Sequence, residues 1–244
     1  MSKTVDSMVN DIYTMCQNAY NSGKQDPTKQ FVLTTDDILR WVNEGYLKFV
    51  GKARLYKKKY SITTALTPSP APASYVLPSD LDCMMSIWYT PTGQTGWELK
   101  KVDDFKQGYA EALSSGSPTY YNDQFLDSNK AYLLTLYPAP TSAGNSIDIY
   151  GCFLPAALTM SDTIAYIPDQ FMDVLFWYAL SRAQLFCGVT PTSEKQTPFW
   201  MIQYADQKFD AGVTECRVNA EYSGQTHWQY QTYDETTDDN LETR

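Results

Sequence analysis

Apolar residues recur along this chain with two different periods, and the changes between them divide it into thirds. Met8, Val9, Ile12, Tyr13, Cys16, Ala19 and Tyr20 fall every three or four positions, the spacing of one helix face, and stop at Asn21, Ser22 and Gly23. Thr34, Thr35, Asp36 and Asp37 then form an N-cap signal with acid in the first turn. Ile38, Leu39, Trp41, Val42, Tyr46, Leu47 and Val50 follow as a second amphipathic helix. Beyond it the pattern shortens. Residues 60–64, 75–77, 84–89 and 97–101 read as short strands, with a turn at 92–96 between the last two. Residues 66–73 are rich in Pro and Ala and cannot be helical. A short helix is expected over 102–113, with Phe105 and Tyr109 four apart, ended by residues 114–118. Strands at 119–126 and 131–137 flank a hairpin turn at 127–130, Pro138 and Pro140 break the chain, and residues 146–153 alternate as one more strand.

Helical spacing returns at Pro168 and Asp169. It carries Phe171, Met172, Leu175, Phe176, Ala179, Leu180, Ala183, Leu185 and Phe186, and Gly188 closes it. After a polar loop at 190–197, a last helix runs from Phe199 to about Tyr222, with Ile202, Ala205, Phe209 and Val213 on one face. The fold class read from this order is α+β: an α-helical bundle formed by N- and C-terminal helices, with an inserted small antiparallel β-rich domain. The expected divisions are 1–57 and 161–222 for the bundle helices, 58–160 for the β-rich insertion, and 223–244 for a flexible acidic tail carrying Asp234, Glu235, Asp238, Asp239 and Glu242.

Composition sharpens this. In 244 residues there are 19 Tyr, 10 Phe and 6 Trp, side chains that suit surfaces wet when free and buried when assembled. They suit a Tyr-rich core equally well. The formal net charge of −9 argues against a free-standing nucleic-acid binder, which presents a basic face. Cys16, Cys83, Cys152, Cys187 and Cys216 are far apart and odd in number, which disfavours a disulfide framework or a zinc site and points to buried, reduced thiols. Residues 1–15 hold no apolar leader core, and no run approaches the length of a membrane span.

Signatures of chemistry are few. The phosphate-loop, dinucleotide, nucleophile-elbow and zinc-protease signatures do not occur in the sequence. His227 is the single histidine and lies beside Trp228 in the expected tail, a poor place to fix a general base. The acidic pairs Asp36/Asp37, Asp80/Asp82 and Asp103/Asp104 read as helix first turns or turn residues, and Asp127, Ser128 and Asn129 as a plain turn. One basic cluster stands out: Lys52, Arg54, Lys57, Lys58 and Lys59. It reads either as a solvated or edge-protecting face, or as a contact to phosphate or to an acidic partner.

Five segments, in order, carry a resemblance. They are 33–44 (LTTDDILRWVNE), 75–81 (YVLPSDL), 116–121 (GSPTYY), 134–140 (LTLYPAP) and 167–171 (IPDQF). Together the chain resembles the bacteriophage head-to-tail adaptor, or connector, proteins of short-tailed phages, the tail tubular protein A-like family, over about residues 5–222. It departs from them in the Pro/Ala stretch and the acidic tail. The resemblance implies a structural virion protein, not an enzyme, without catalytic, cofactor or metal residues. It implies a dodecameric ring that joins the portal to the tail and continues the DNA channel. The partners implied are the portal protein, a tail tube or nozzle protein and neighbouring copies, with genomic DNA passing through without specific binding and no membrane. The protein is then made in the host cytoplasm and carried in the virion. Lys57, Lys58, Lys59, Phe199, Trp200, Tyr222 and Trp228 are the expected partner-binding residues. Two alternatives remain at this point: another neck or tail component, such as a stopper or tail-tube subunit, and a glycan-binding module using Trp88, Tyr89 and Trp97.

Overall fold

A computed structural model describes residues 4–22, 32–64, 73–102, 115–126, 132–187 and 198–222. They group into two compact units: the residues up to Tyr56 together with those from Leu154 onward, and the intervening Lys57–Phe153. The first is helical and the second is β-structured, so the expected α+β class, with helices from both chain ends and a β-rich part between them, is what the molecule has.

The helical unit comprises α1 (Val5–Ser22), α2 (Thr35–Ala53), α3 (Met172–Phe186) and α4 (Pro198–Tyr222). Thr34 caps α2 reciprocally: the Asp37 backbone N–H donates to Thr34 Oγ1 at 3.2 Å, and the Thr34 backbone N–H donates to Asp37 Oδ2 at 3.2 Å. Two donors that the first turn would leave unpaired are thereby satisfied. These hydrogen bonds from Thr34 also hold the half-buried Asp37 carboxyl below the usual range. The first segment is fixed from outside its helix, since the Val5 N–H donates to Asp162 O at 3.0 Å.

The apolar faces meet in one core. It contains Met8, Val9 and Ile12 from α1, Ile38, Val42, Tyr46 and Phe49 from α2, Leu175 and Tyr178 from α3, and Phe209 and Val213 from α4. Phe49 lies at its centre, edge-on to Phe209 at 5.7 Å and tilted against Phe171 at 6.2 Å, while Tyr178 meets Phe209 at 4.6 Å. Two glycines set how closely the helices approach. A Cβ on Gly45 would stand 2.7 Å from Leu175 and Tyr178, and one on Gly212 would stand 2.7 Å from Val174. Missing side chains therefore bring α2 against α3, and α3 against α4.

In the β unit, β1 (Lys57–Thr63), β3 (Leu81–Thr90), β4 (Trp97–Glu98) and β10 (Ser146–Phe153) form an antiparallel sheet in the order β1-β10-β3-β4. A second sheet runs β2-β8-β7-β5, from β2 (Ala73–Val76), β5 (Lys100–Lys101), β7 (Tyr120–Leu126) and β8 (Tyr132–Tyr137). A two-strand ladder joins β6 (Ser115–Gly116) to β9 (Ala139–Pro140). Ile87, Tyr89, Leu134, Leu136, Ile147 and Ile149 pack into its core.

Three expectations change here. The strand read over 97–101 is two strands in different sheets: Trp97 and Glu98 pair with β3, whereas Lys100 and Lys101 pair in parallel with β7, and the chain crosses at buried Leu99. The break at Pro138 is brief, because pairing resumes at Ala139. The strand expected at 60–64 begins at Lys57, so it incorporates the lysines instead of following them. The helix expected over 102–113, the hairpin turn at 127–130, Gly188 and the tail from 223 fall wholly or almost wholly outside the described residues.

Candidate assembly surfaces

The five basic residues between 52 and 59 do not form one free patch. Lys52 pairs with Asp210 at 2.8 Å in the helical unit. In the β unit Lys58 pairs with Asp80 at 2.6 Å and lies over the Phe153 ring at 4.2 Å. Lys59 pairs with Asp148 at 2.8 Å. Asp148 also accepts from Ser61 Oγ at 2.7 Å and from Ser146 Oγ at 2.8 Å. Desolvation pushes the Asp148 carboxyl up, but the hydrogen bonds from Lys59, Ser61 and Ser146 together outweigh it and hold the group below the usual range. The Lys59 ammonium is shifted up, chiefly by its bond to Asp148. A lysine already bound to a carboxylate gains less from a phosphate, because the existing pair must first be broken. No ion pair to Lys57 occurs among the described residues.

The remaining sequence-selected contacts are less fully visible. Phe199, Trp200 and Tyr222 lie on α4, whose backbone is described at those positions while their side chains are not, and Trp228 lies outside the described residues. The aromatic trio considered for glycans does not make a platform. Tyr89 is buried, and its hydroxyl accepts from Asn145 Nδ2 at 2.6 Å. Trp97 packs on Tyr89 at 5.3 Å and donates its indole N–H to Pro118 O at 2.7 Å. Trp88 is the exposed one of the three, and Trp97 is half-buried.

Exposed apolar side chains occur elsewhere, and the partner-binding residues expected from the sequence do not include them. Trp177 on α3 is 50% exposed, and Phe186, edge-on to Trp41 at 5.6 Å, is 52% exposed. Tyr204 and Val218 stand out from α4. In the β unit Tyr132 is 62% and Val76 55% exposed, where β8 meets β2. The signal for Trp177 was in the sequence. The stretch Leu175, Phe176, Trp177, Tyr178, Ala179, Leu180 is apolar all the way round a helix, more than a one-sided core can cover.

The densest set of titratable groups is consumed by the bundle itself. Tyr178 donates its hydroxyl to Glu44 Oε1 at 2.8 Å, and Lys48 Nζ donates both to that oxygen at 2.6 Å and to the Tyr178 hydroxyl at 2.9 Å. Arg182 lies 3.3 Å from the centre of the Tyr178 ring and bonds Asp206 at 2.8 Å. The Lys48 bond keeps the Glu44 carboxyl low, and burial pushes the Tyr178 hydroxyl up. This is a clamp across α2, α3 and α4, with each charge answered. Among the described residues no group of three or more His, Cys, Asp or Glu could hold a metal ion, and no helix is long and apolar enough to cross a membrane.

Comparison with known proteins adds one finding. No curated protein matches the chain. The model of the family described as SU10 adaptor protein matches residues 5–229, from the first helix through the last and across both units. The chain belongs to the SU10 adaptor protein family.

Proposed function

We propose that this member of the SU10 adaptor protein family is a structural component of the bacteriophage particle that works as a head-to-tail adaptor. Its copies close into a ring, dodecameric in this reading, between the portal protein and a tail tube or nozzle protein, and the genome passes through the channel. The observation that carries the reading is the extent of the family match, which takes in both units. The surface supports it: large apolar side chains such as Trp177 and Tyr132 lie open, as lateral and axial contacts require, while the titratable clusters are used internally. With a formal net charge of −9 on each copy, a ring would let DNA slide rather than hold it.

Within this reading, Phe199, Trp200, Tyr222 and Trp228 serve the portal side. Lys57, Lys58 and Lys59 meet an acidic neighbouring surface, Lys58 and Lys59 exchanging internal carboxylates for external ones. The test is to image the purified protein mixed with portal rings by electron microscopy, and to measure its ratio to portal in purified virions. The expected outcome is a ring coaxial with the portal and a fixed ratio between the two. Absence from purified virions overturns the reading. Assembly onto tail tubes but not onto portal would favour the stopper or tube-subunit alternative.

A further inference from the structure

The two ends of the first sheet in the β unit differ. At the β4 end the chain passes through Leu99 directly into β5 of the second sheet. At the other end stands β1, and among the described residues no strand pairs with its outer side. The register shows which backbone groups lie there. The Thr64 N–H donates to Asn145 O at 2.8 Å, and Thr64 O accepts from the Gly144 N–H at 2.9 Å, so Thr64 turns both peptide groups towards the β10 side. Counting back by twos along the antiparallel ladder, Lys58, Tyr60 and Ile62 do the same, while Lys57, Lys59, Ser61 and Thr63 turn theirs outward. An edge of seven residues with its donors and acceptors turned outward is a template for one more strand.

We propose that this edge receives the acidic C-terminal segment of a neighbouring copy: Tyr230–Asp239 of one subunit adds to β1 of the next as an antiparallel strand. The proposal rests on the ring reading above and names the acidic partner of Lys57, Lys58 and Lys59 within it. Charge selects the occupant. Two copies of β1 laid edge to edge bring lysines close to one another, which is unfavourable, whereas an acidic strand is attracted. The chain carries such a strand itself. Residues 225–244 contain no Gly or Pro, and Tyr230, Thr232, Tyr233, Thr236 and Thr237 are strand-favouring types interleaved with Asp234, Glu235, Asp238 and Asp239.

Direction follows from where the charges lie. Run antiparallel, the acidic half of the segment comes beside Lys57 and Lys59, and its Tyr- and Thr-rich half beside Ser61 and Thr63. A parallel strand would put the acids at the end of β1 that holds no lysine. Lys57, without an ion pair among the described residues, takes a new carboxylate outright, and half-exposed Lys59 can share one with Asp148. The chain from the end of α4 at Tyr222 to Tyr230 can span roughly 27 Å, enough to leave one copy and reach the next. Donor strand and acceptor edge are different surfaces, so each copy gives to one neighbour and receives from the other, as a closed ring requires.

The test has two arms, both on the full-length protein. In the first, a fluorescent peptide of residues 229–242 is titrated with the isolated protein and followed by anisotropy. A Kd on the order of 10–100 µM is expected. Lys57→Glu should weaken it about fivefold, and added salt should weaken it further. In the second arm, protein assembled on portal rings is treated with a carbodiimide, which joins lysines to carboxylates in contact. The expected result is a ladder of covalently joined copies on a denaturing gel, with mapped peptides linking Lys57 or Lys59 to the acids of 234–239. The linked peptides of the wild type decide alone if Lys57→Glu does not fold. No peptide binding up to about 1 mM, binding that folded Lys57→Glu leaves unchanged, links confined to single chains, or links from Lys57 to portal alone would each overturn the proposal. The peptide arm needs only isolated protein, so its failure leaves the adaptor reading untouched, and absence from virions overturns that reading without touching the peptide result.

Discussion

The two units solve the same problem with different means. Among the described residues the helical unit buries 26 hydrophobic residues in one cluster, whereas the cluster in the β unit holds eight. With so small a core, the β unit must gain more of its order from ladders and buried polar groups. Asn145 is its centre. The Asn145 backbone N–H donates to Thr64 Oγ1 at 3.0 Å, its side-chain amide donates to the Tyr89 hydroxyl and to Ser142, and its Oδ1 accepts from the Thr92 N–H at 3.1 Å. One residue thus ties four separate chain positions. In the helical unit the equivalent task falls to Phe49, which ties elements together without any polar group. An apolar centre tolerates small shifts, while a polar centre fixes geometry but leaves unpaired groups behind when it fails.

This contrast can be broken by substitution. The largest effect is expected from Phe49→Ala, which empties the meeting point of α2, α3 and α4 and should cost about 3–5 kcal/mol in chemical denaturation. A loss under about 1 kcal/mol would mean that the aromatic cluster does not hold the bundle. Asn145→Ala should cost about 1–3 kcal/mol by stranding the Thr92 N–H and the Tyr89 hydroxyl. Full recovery of stability on pairing it with Tyr89→Phe would place the whole cost in that one bond.

Acid supplies the smallest and most specific probe. The folded Asp148 carboxyl lies below its ordinary range, so its stabilisation is present above the unfolded pKa and is lost as pH falls through the folded value. Stability measured from pH 7 down to pH 2 should therefore fall more steeply in the wild type than in Asp148→Asn, and the two curves should converge at the acid end. The effect is modest because its partner Lys59 is half-exposed. Parallel curves would show that the Lys59, Ser61 and Ser146 bonds do not form in solution.

What could be read from the sequence follows the same division. The helices were legible because a one-sided core imprints a 3.6-residue period over many turns, and the capping signal at Thr34 to Asp37 is local. The strands were found but not their limits. The crossing at Leu99 depends on which sheet each neighbour joins, and β1 extends back to Lys57 with Lys58 and Lys59 bound to Asp80 and Asp148, partners far along the chain. The lysine cluster was visible as a cluster, but its internal neutralisation was not. Trp177 was hidden inside the stretch Leu175 to Leu180, which is apolar on every face of the helix. That Cys83 and Cys152 face each other follows from the register of β3 and β10, and spacing along the chain holds no trace of it.

The register of β1 against β10 has an evolutionary reach. Lys57, where the chain enters the β unit, is the partner of Cys152, one residue before it leaves. The entrance and the exit are therefore about 5 Å apart, one strand spacing. Everything between them behaves as a cassette on a two-stranded stem. A lineage can lengthen its loops, shorten its strands or exchange it for another module, and the gap the helical scaffold has to span stays the same.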